Sequence, residues 1–252
     1  MRTHFCAPFL RAPLMALLLA LTAAHANAHH VWIEQDAQGA KLYFGEFGEN
    51  LREASPGLLD KFGKPAAQKI SAKGAEPVDI NKTPTGFALA SRAAAGESLV
   101  AEDAAYPSFA VRIADKPGAR GIYVPAARLV TSLAKHEPKL TLDLVPTGPA
   151  AQGGLELQAF YKGQPLPKAK VEVITASGWG KEHHTDAEGK IRITMPWQGT
   201  YVLEMSHSDT AGGERGGERY ERASYVTSLT LVQAEGLAAL PAPPAAAANK
   251  AN

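Results

Sequence analysis

Cysteine is almost absent from this chain. The 252 residues include one, Cys6, and it lies ahead of an apolar run in a segment typical of a removable export signal. Once that signal is cut off, the protein has no thiol, which excludes disulfides, zinc–thiolate sites and a cysteine nucleophile. We therefore expect the folded protein to rely on its hydrophobic core for stability.

A long hydrophobic run is also missing. The most apolar stretch, residues 14–21, follows Arg2 and Arg11 and is far shorter than the roughly 20 apolar residues that span a bilayer. A positively charged start, a short apolar core and small residues at its end are typical of a secretory signal peptide, which we place at residues 1–28. The sequence thus predicts a periplasmic protein with no membrane span after the signal is removed.

Clustered positive charge is absent as well. The formal net charge is +1, and losing Arg2 and Arg11 with the signal leaves the mature chain at about −1. The remaining lysines and arginines are scattered and form no basic stripe, so we do not expect nucleic-acid binding.

Familiar catalytic motifs are lacking. The sequence contains no Gly-x-Ser-x-Gly elbow, no His-Glu-x-x-His pair and no glycine-rich phosphate loop after a strand. A terminal histidine followed by a second one is similar to the copper site of polysaccharide-cleaving monooxygenases. Those enzymes usually carry disulfides, however, and the mature chain has no cysteine. We predict that the protein is not an enzyme.

What the second half does contain is strand patterning. Apolar and polar residues alternate with a period of two, which places apolar side chains on one face of each strand. The clearest runs begin at Leu140, Leu155, Val171 and Tyr201, and a last apolar run covers residues 227–232. Turn-forming sequences separate these runs, so this half is predicted to be an immunoglobulin-like or transthyretin-like sandwich.

The first half is β-rich but less regular. Its clearest feature is a predicted hairpin, in which residues 30–33 and 41–44 flank a turn-forming stretch at 36–39. We accordingly predict an all-β fold class with two β-rich domains, of which the second is the sandwich.

The expected domain limits follow from these patterns. After the signal, an N-terminal domain covers 29–136 and a C-terminal sandwich covers 137–233. Within the sandwich, the glycine-rich residues 206–222 are expected to form a long connection before the last strand. The alanine- and proline-rich tail, 234–252, is expected to be disordered.

The most distinctive stretch lies where the signal ends. Signal peptidase needs small residues before the cut, and Ala26 and Ala28 satisfy that need. A cut after Ala28 makes His29 the N-terminus, with His30 beside it, so that an α-amine and two imidazoles lie within two residues. A cut after Ala26 would instead place His29 third, where the amine, two amides and the imidazole form a square-planar set. Either terminus suits Cu(II) or Ni(II).

Three further histidines are candidate metal ligands. His183 and His184 precede a turn, and His207 begins the glycine-rich connection. Because neighbouring strand residues point to opposite faces, at most one of His183 and His184 is expected to face an ion. Glu46 and Glu49, just after the first hairpin, are candidate oxygen ligands, although a solvated loop explains them equally well.

These stretches together resemble a known family. The signal followed by His-His-Val-Trp-Ile-Glu is similar to the opening of a family of exported bacterial proteins of unknown function. Its members are often described as periplasmic components associated with nickel or cobalt uptake. Residues 140–146 are similar to the family's entry into its second domain, and those at 163–171, 185–189 and 227–231 to its sandwich. The resemblance implies an exported metal-handling protein and carries over no catalytic residues.

Two functions remain open from the sequence. The first is a periplasmic protein that binds nickel, cobalt or copper through its histidine-bearing terminus and acts in metal uptake or handling, with an inner-membrane metal transporter as its partner. The alternative is a non-metal adhesion or scaffolding module, whose sandwich and glycine-rich connection contact a protein or a glycan.

Overall fold

The regular structure of this protein is almost entirely strand. The computed structural model describes residues 29–150 and 154–249, so the predicted signal at 1–28 lies outside the described residues. One short 3₁₀ helix, Leu58–Lys61, accompanies the strands. The all-β prediction is confirmed.

The strands, in chain order, are β1 His30–Gln35, β2 Ala40–Glu46, β3 Leu51–Arg52, β4 Ala66–Ser71, β5 Gly74–Val78, β6 Ile80–Thr83, β7 Gly86–Leu89, β8 Ser98–Glu102, β9 Phe109–Ala110, β10 Arg120–Val130, β11 Leu142–Pro149, β12 Leu155–Tyr161, β13 Gln164–Pro165, β14 Lys170–Thr175, β15 Gly180–His184, β16 Lys190–Ile193, β17 Gly199–Asp209, β18 Gly213–Arg215, β19 Glu218–Tyr220 and β20 Arg222–Gln233.

These strands form three larger sheets and one small hairpin. A five-stranded sheet has the order β1-β2-β7-β6, with β3 paired to β2. A nine-stranded sheet has the order β15-β14-β17-β20-β10-β8-β4-β5, with β9 paired to β10. The third sheet is β11-β12-β13, with β16 on β12, and β18 pairs with β19. The predicted hairpin is confirmed as the antiparallel pair β1–β2.

The nine-stranded sheet draws strands from both halves of the sequence. At its centre β10, from the first half, runs parallel to β20, the last strand of the chain. On its other side β10 pairs with β8, while β20 pairs with β17. The division into domains 29–136 and 137–233 stays a prediction, but the two halves meet through a continuous hydrogen-bonded ladder.

The alternating residues of the second half do form a core. Tyr201, Leu203 and Met205 point from β17 into a cluster shared with β11, β12 and β20. The opposite face of β17 carries Val202, which packs against Trp32 of β1. Because period-two alternation sends neighbouring side chains to opposite faces, β17 contacts the second-half core on one side and β1 on the other.

Two segments differ from the sequence expectations or extend them. Residues 206–222 are not a long connection: β17 continues to Asp209, and β18 and β19 form a hairpin before β20. That part of the prediction was wrong because the glycines serve a tight turn between strands.

The tail, predicted to be disordered, has described contacts up to Asn249, including bridges from Leu237 to Trp197 and from Ala246 to Leu51. Its disorder in solution stays a prediction.

Across the described residues, no helix has the length and apolar character needed to cross a membrane.

Candidate functional site

The two adjacent histidines begin the first strand and lie where β1, β2 and β3 meet. In the ladder His30 pairs with Gly45 of β2, and Gly45 pairs in turn with Arg52 of β3. Gly45 has a φ of +147°, and a Cβ on it would lie 2.3 Å from the carbonyl oxygen of Leu51. Only glycine therefore lets β3 approach β2 this closely. That approach brings the carboxylate that follows β3 next to the start of β1.

The His29 side chain lies between two carboxylates. Its Nε2 is 2.6 Å from Oε1 of Glu53, and its Nδ1 is 3.6 Å from Oε1 of Glu46. Glu53 is fully buried. The backbone is fixed as well, because the hydroxyl of Tyr123 donates to the carbonyl oxygen of His29 over 2.8 Å. The ring is thus oriented by a buried carboxylate at one nitrogen and faces a second carboxylate with the other.

The His30 side chain points towards β17. Its Nδ1 lies 3.1 Å from Oε2 of Glu204 on β17. The packing of Trp32 and Phe47 against Val202 brings β17 to this position. Glu204 is two residues beyond Val202 and therefore faces the same side of the strand.

Glu204 belongs to a row of three glutamates on neighbouring strands. Glu172 of β14 pairs directly with Glu204 in the ladder, and Glu182 of β15 pairs with Glu172. Like charges placed opposite one another on a sheet repel. Lys170 offsets the charge of the outermost glutamate, Glu182, because its Nζ lies 2.7 Å from that carboxylate. Burial, followed by the charges of Glu172 and Glu46, raises the pKa of Glu204 to about 8.

Beside this row an open cleft of about 590 Å³ contains an imidazole and several carboxylates. Among its lining residues are His30, Glu46, Glu49, Glu172, Glu182 and Glu204. Such a concentration of negative charge between protein walls attracts cations. Glu46 and Glu49, which the sequence offered as oxygen ligands, both line it.

The side chains alone do not make a finished metal site. Across residues 29–150 and 154–249, no three His, Cys, Asp or Glu side chains are placed to hold one ion together. The donor chemistry nevertheless fits a transition metal, because imidazole nitrogen with carboxylate oxygen suits Ni(II), Co(II) and Cu(II). A site here would need a further donor, which the α-amine of a mature His29 would supply.

The other candidate histidines occupy different surroundings. His183 and His184 lie on the edge strand β15, where His183 pairs with Val171 and His184 with Lys170. His184 is exposed, and its Nε2 is 3.6 Å from Glu182. Burial lowers the pKa of His183. Neither is among the residues that line the cleft in the described part of the chain, and their role as ligands stays a prediction.

His207 packs against an aromatic side chain. Its ring centroid is 4.3 Å from that of Tyr161, whose hydroxyl donates to Asp209 over 2.6 Å. Burial lowers the pKa of His207, which favours its neutral form. The role of His207 as a metal ligand likewise stays a prediction.

Four carboxylates at the site were not identified from the sequence. Glu53 follows a two-residue strand that has no periodic pattern, and Glu182 lies on the edge strand β15. Glu172 and Glu204 lie inside alternating strands, on the face opposite the second-half core. Alternation alone identifies their face but not what covers it. A weak signal was present, since Glu172 and Glu204 occupy matching positions in strands of similar pattern.

The chain matches a known family of domains. A family described as a domain of unknown function, DUF4198, matches residues 26–209, which include both adjacent histidines and the glutamates of the cleft. No curated protein matches the chain, and no solved structure matches it either.

Proposed function

The chain belongs to the DUF4198 family of domains of unknown function, and from its site we propose that it is a periplasmic protein that binds nickel, cobalt or copper at the start of its first strand. One observation carries this proposal: Nε2 of His29 lies 2.6 Å from the buried carboxylate of Glu53. The ion is cargo to be captured or passed on in metal uptake or handling.

The orientation of His29 is the one that a metal-ligating histidine needs. Such a histidine almost always donates one ring N–H to a carboxylate or carbonyl, which fixes the ring and raises the basicity of the other nitrogen. With Nε2 donating to Glu53, the tautomer leaves Nδ1 as the electron-pair donor. Nδ1 is also the ring nitrogen that can close a six-membered chelate ring with the α-amine of the same residue.

The ligand set extends from this chelate. Glu46, with Oε1 at 3.6 Å from Nδ1 of His29, lies within reach of an ion bound there after a small movement. His30 is the next nitrogen along the chain and is held by Glu204 at 3.1 Å. An amine, one or two imidazoles and a carboxylate form a compact set for a divalent transition metal.

The acidic cleft supports capture and release. Burial and the charge of Glu172 across the ladder favour the protonated form of Glu204, so a cation that enters the cleft would bind there by displacing that proton. Glu46 connects the cleft to His29, because it lines the cleft and lies 3.6 Å from Nδ1 of His29. The cleft is open to solvent, so an ion would enter through it and could pass to a partner docked over it. An inner-membrane metal transporter is the partner that this role requires.

The deciding experiment is a metal titration of protein whose N-terminus is known. Intact mass of protein purified from a periplasm establishes whether His29 is the first residue. Titration with Cu(II), Ni(II) and Co(II) should then show one tightly bound equivalent. That equivalent should be lost in His29→Ala and in protein whose α-amine at His29 is blocked by acetylation.

The matched control is His136→Ala, because His136 is not a candidate ligand or a lining residue of the cleft, and its Nε2 lies 3.2 Å from the carbonyl oxygen of Ser132. It should bind as the unaltered protein does. Saturable binding that is equally tight in His29→Ala would overturn the proposal, and so would the absence of saturable binding to a protein that begins at His29.

A further inference from the structure

The C-terminal segment folds back onto the site. After β20 the chain returns past Trp197, where the backbone N–H of Leu237 donates to Pro196 and its carbonyl accepts from Gln198, both over 2.8 Å. It then runs beside β3: Asn50 donates to the carbonyl oxygen of Pro243 over 2.9 Å. The segment therefore has a defined path between two anchor points.

The path ends on the carboxylate that holds His29. The backbone N–H of Asn249 donates to Oε2 of Glu53 over 2.9 Å, and its side-chain amide donates to Oε1 over 2.5 Å. Oε1 is also the atom that lies 2.6 Å from Nε2 of His29. One buried carboxylate is thus held from both ends of the described chain.

We infer that Asn249 is a positioning residue for the metal site, acting through Glu53 on the imidazole of His29. This inference rests on the proposed function. A buried carboxylate without donors is costly, so Glu53 depends on the two donors from Asn249 to stay where it orients His29. Without them, Glu53 would turn towards water and the ring would lose its fixed tautomer and direction.

The segment that presents Asn249 is weakly anchored. Residues 242–248 are alanine and proline only, so they contribute little apolar contact, and the ladder beside β3 is the single bridge from Ala246 to Leu51. Asn249 also lies beyond the 26–209 that the family match covers. The donor side of the contact therefore lies outside the part of the chain that the family match covers.

Tail docking and metal binding should be thermodynamically coupled. If the docked tail strengthens metal binding, bound metal must strengthen tail docking by the same factor. Metal should therefore slow hydrogen exchange at the amide of Asn249, which is bonded to Glu53. A purely structural tail, uncoupled from the ion, would exchange at the same rate with and without metal.

The test uses Cu(II) with the unaltered protein, Asn249→Ala and Asn249→Gln. Loss of an outer carboxylate partner typically costs 10- to 100-fold in metal affinity, so we expect Asn249→Ala to bind Cu(II) about tenfold more weakly. Asn249→Gln keeps an amide donor and should recover part of that loss. The copper electron paramagnetic resonance spectrum should change in the Ala variant, because His29 is no longer held in one orientation.

Asn81→Ala is the matched control, since Asn81 is an exposed asparagine on β6. Equal affinity, equal spectrum and metal-independent exchange at Asn249 in a protein that binds Cu(II) would overturn this inference alone. Failure of the unaltered protein to bind Cu(II) would overturn the proposed function and this inference with it.

Discussion

Glu172 and Glu204 lie directly opposite each other on the antiparallel strands β14 and β17. Two carboxylates in that position repel, and Glu204 is also largely withdrawn from water. The imidazole of His30 is the group that meets Glu204, at 3.1 Å. In the metal-free protein, burial and the neighbouring Glu172 therefore favour the protonated form of Glu204, whose pKa is raised to about 8.

The first prediction concerns the pH dependence of stability in metal-free protein. The pKa of Glu204 is raised from an ordinary value of 4.5 to about 8, so the folded state holds this proton more tightly than the unfolded state does. The corresponding stability is present below pH 4.5 and is lost as pH rises towards 8. Each unit of difference in pKa between the folded and unfolded states is worth 1.36 kcal/mol, so this effect on the free energy of unfolding has a ceiling of about 5 kcal/mol.

Urea unfolding at pH 5 and at pH 8.5, with a chelator present, measures this effect. Glu204→Gln should remove most of the difference between the two pH values. Glu188→Gln, at an exposed turn position, should leave the difference unchanged. An identical pH dependence in Glu204→Gln and the unaltered protein would show that Glu204 does not titrate as described.

The second prediction concerns the glycine that lets β3 approach β2. Gly45→Ala places a methyl group 2.3 Å from the carbonyl oxygen of Leu51, at a φ of +147° that alanine avoids. We expect the free energy of unfolding to fall by at least about 1 kcal/mol. Metal affinity should fall as well, because Glu53 follows β3 and would move away from His29.

Gly39→Ala provides the control for Gly45→Ala. Gly39 lies in the turn of the same hairpin, and no atom lies within 4 Å of a Cβ placed on it. Gly39→Ala should leave the free energy of unfolding, measured in urea, nearly unchanged. Equal unfolding free energies for the two variants would contradict the account of Gly45.

Local patterns account for most of what the sequence could predict. The β1–β2 hairpin follows from two apolar runs around a turn, and the burial of Tyr201 and Leu203 follows from their two-residue period. The same period places Glu204 on the opposite face. Nothing local shows that β1 covers that face, because the covering depends on Trp32 packing against Val202, 170 positions away.

The carboxylate partners of the histidines required long-range register. Glu53 is 24 residues beyond His29 and reaches it because the chain turns back at residues 47–50 and β3 pairs with β2 at Gly45. The parallel pairing of β10 with β20 is still more distant, and parallel strands can be joined only by long crossovers. The sequence therefore indicated the histidines and one side of the site, and the tertiary structure supplied the rest.

The third prediction concerns a buried ion pair between the two halves. Arg128 of β10 donates to both oxygens of Asp143 of β11, over 3.0 and 2.6 Å, and both side chains are at most 1% exposed. Asp143→Ala leaves the guanidinium buried without its charge partner. We expect a loss of about 3–5 kcal/mol in the free energy of unfolding.

A double variant and a surface pair test the ion-pair account. Arg128→Met with Asp143→Leu should recover much of the loss, since neither charge then remains. Lys135→Ala removes an exposed pair with Glu137, in which both side chains are 69% exposed, and should cost less than about 1 kcal/mol. Asp143 also accepts from the backbone N–H groups of Lys139 and Leu140. A double variant as unstable as Asp143→Ala would show that packing and these lost hydrogen bonds, not the unpaired charge, set the cost.

The last prediction links the backbone of His29 to metal binding. The hydroxyl of Tyr123, a partly buried side chain beside the site, donates to the carbonyl oxygen of His29 over 2.8 Å. Tyr123→Phe should cost about 1 kcal/mol of stability, the usual net value of one hydrogen bond. It should also weaken Cu(II) binding several-fold, because the residue that carries both amine and imidazole gains freedom that an ion must then restrict.

The ring of Tyr106 packs edge-on against Tyr123, with centroids 5.0 Å apart, which makes Tyr106→Phe the matched variant. It removes a hydroxyl from the same aromatic cluster without touching the His29 carbonyl. Isothermal titration and urea unfolding of the two variants separate the two effects. If Tyr123→Phe lost stability but bound Cu(II) as tightly as Tyr106→Phe, the backbone of His29 would have no part in metal binding, and the ligands would have to be sought further inside the acidic cleft.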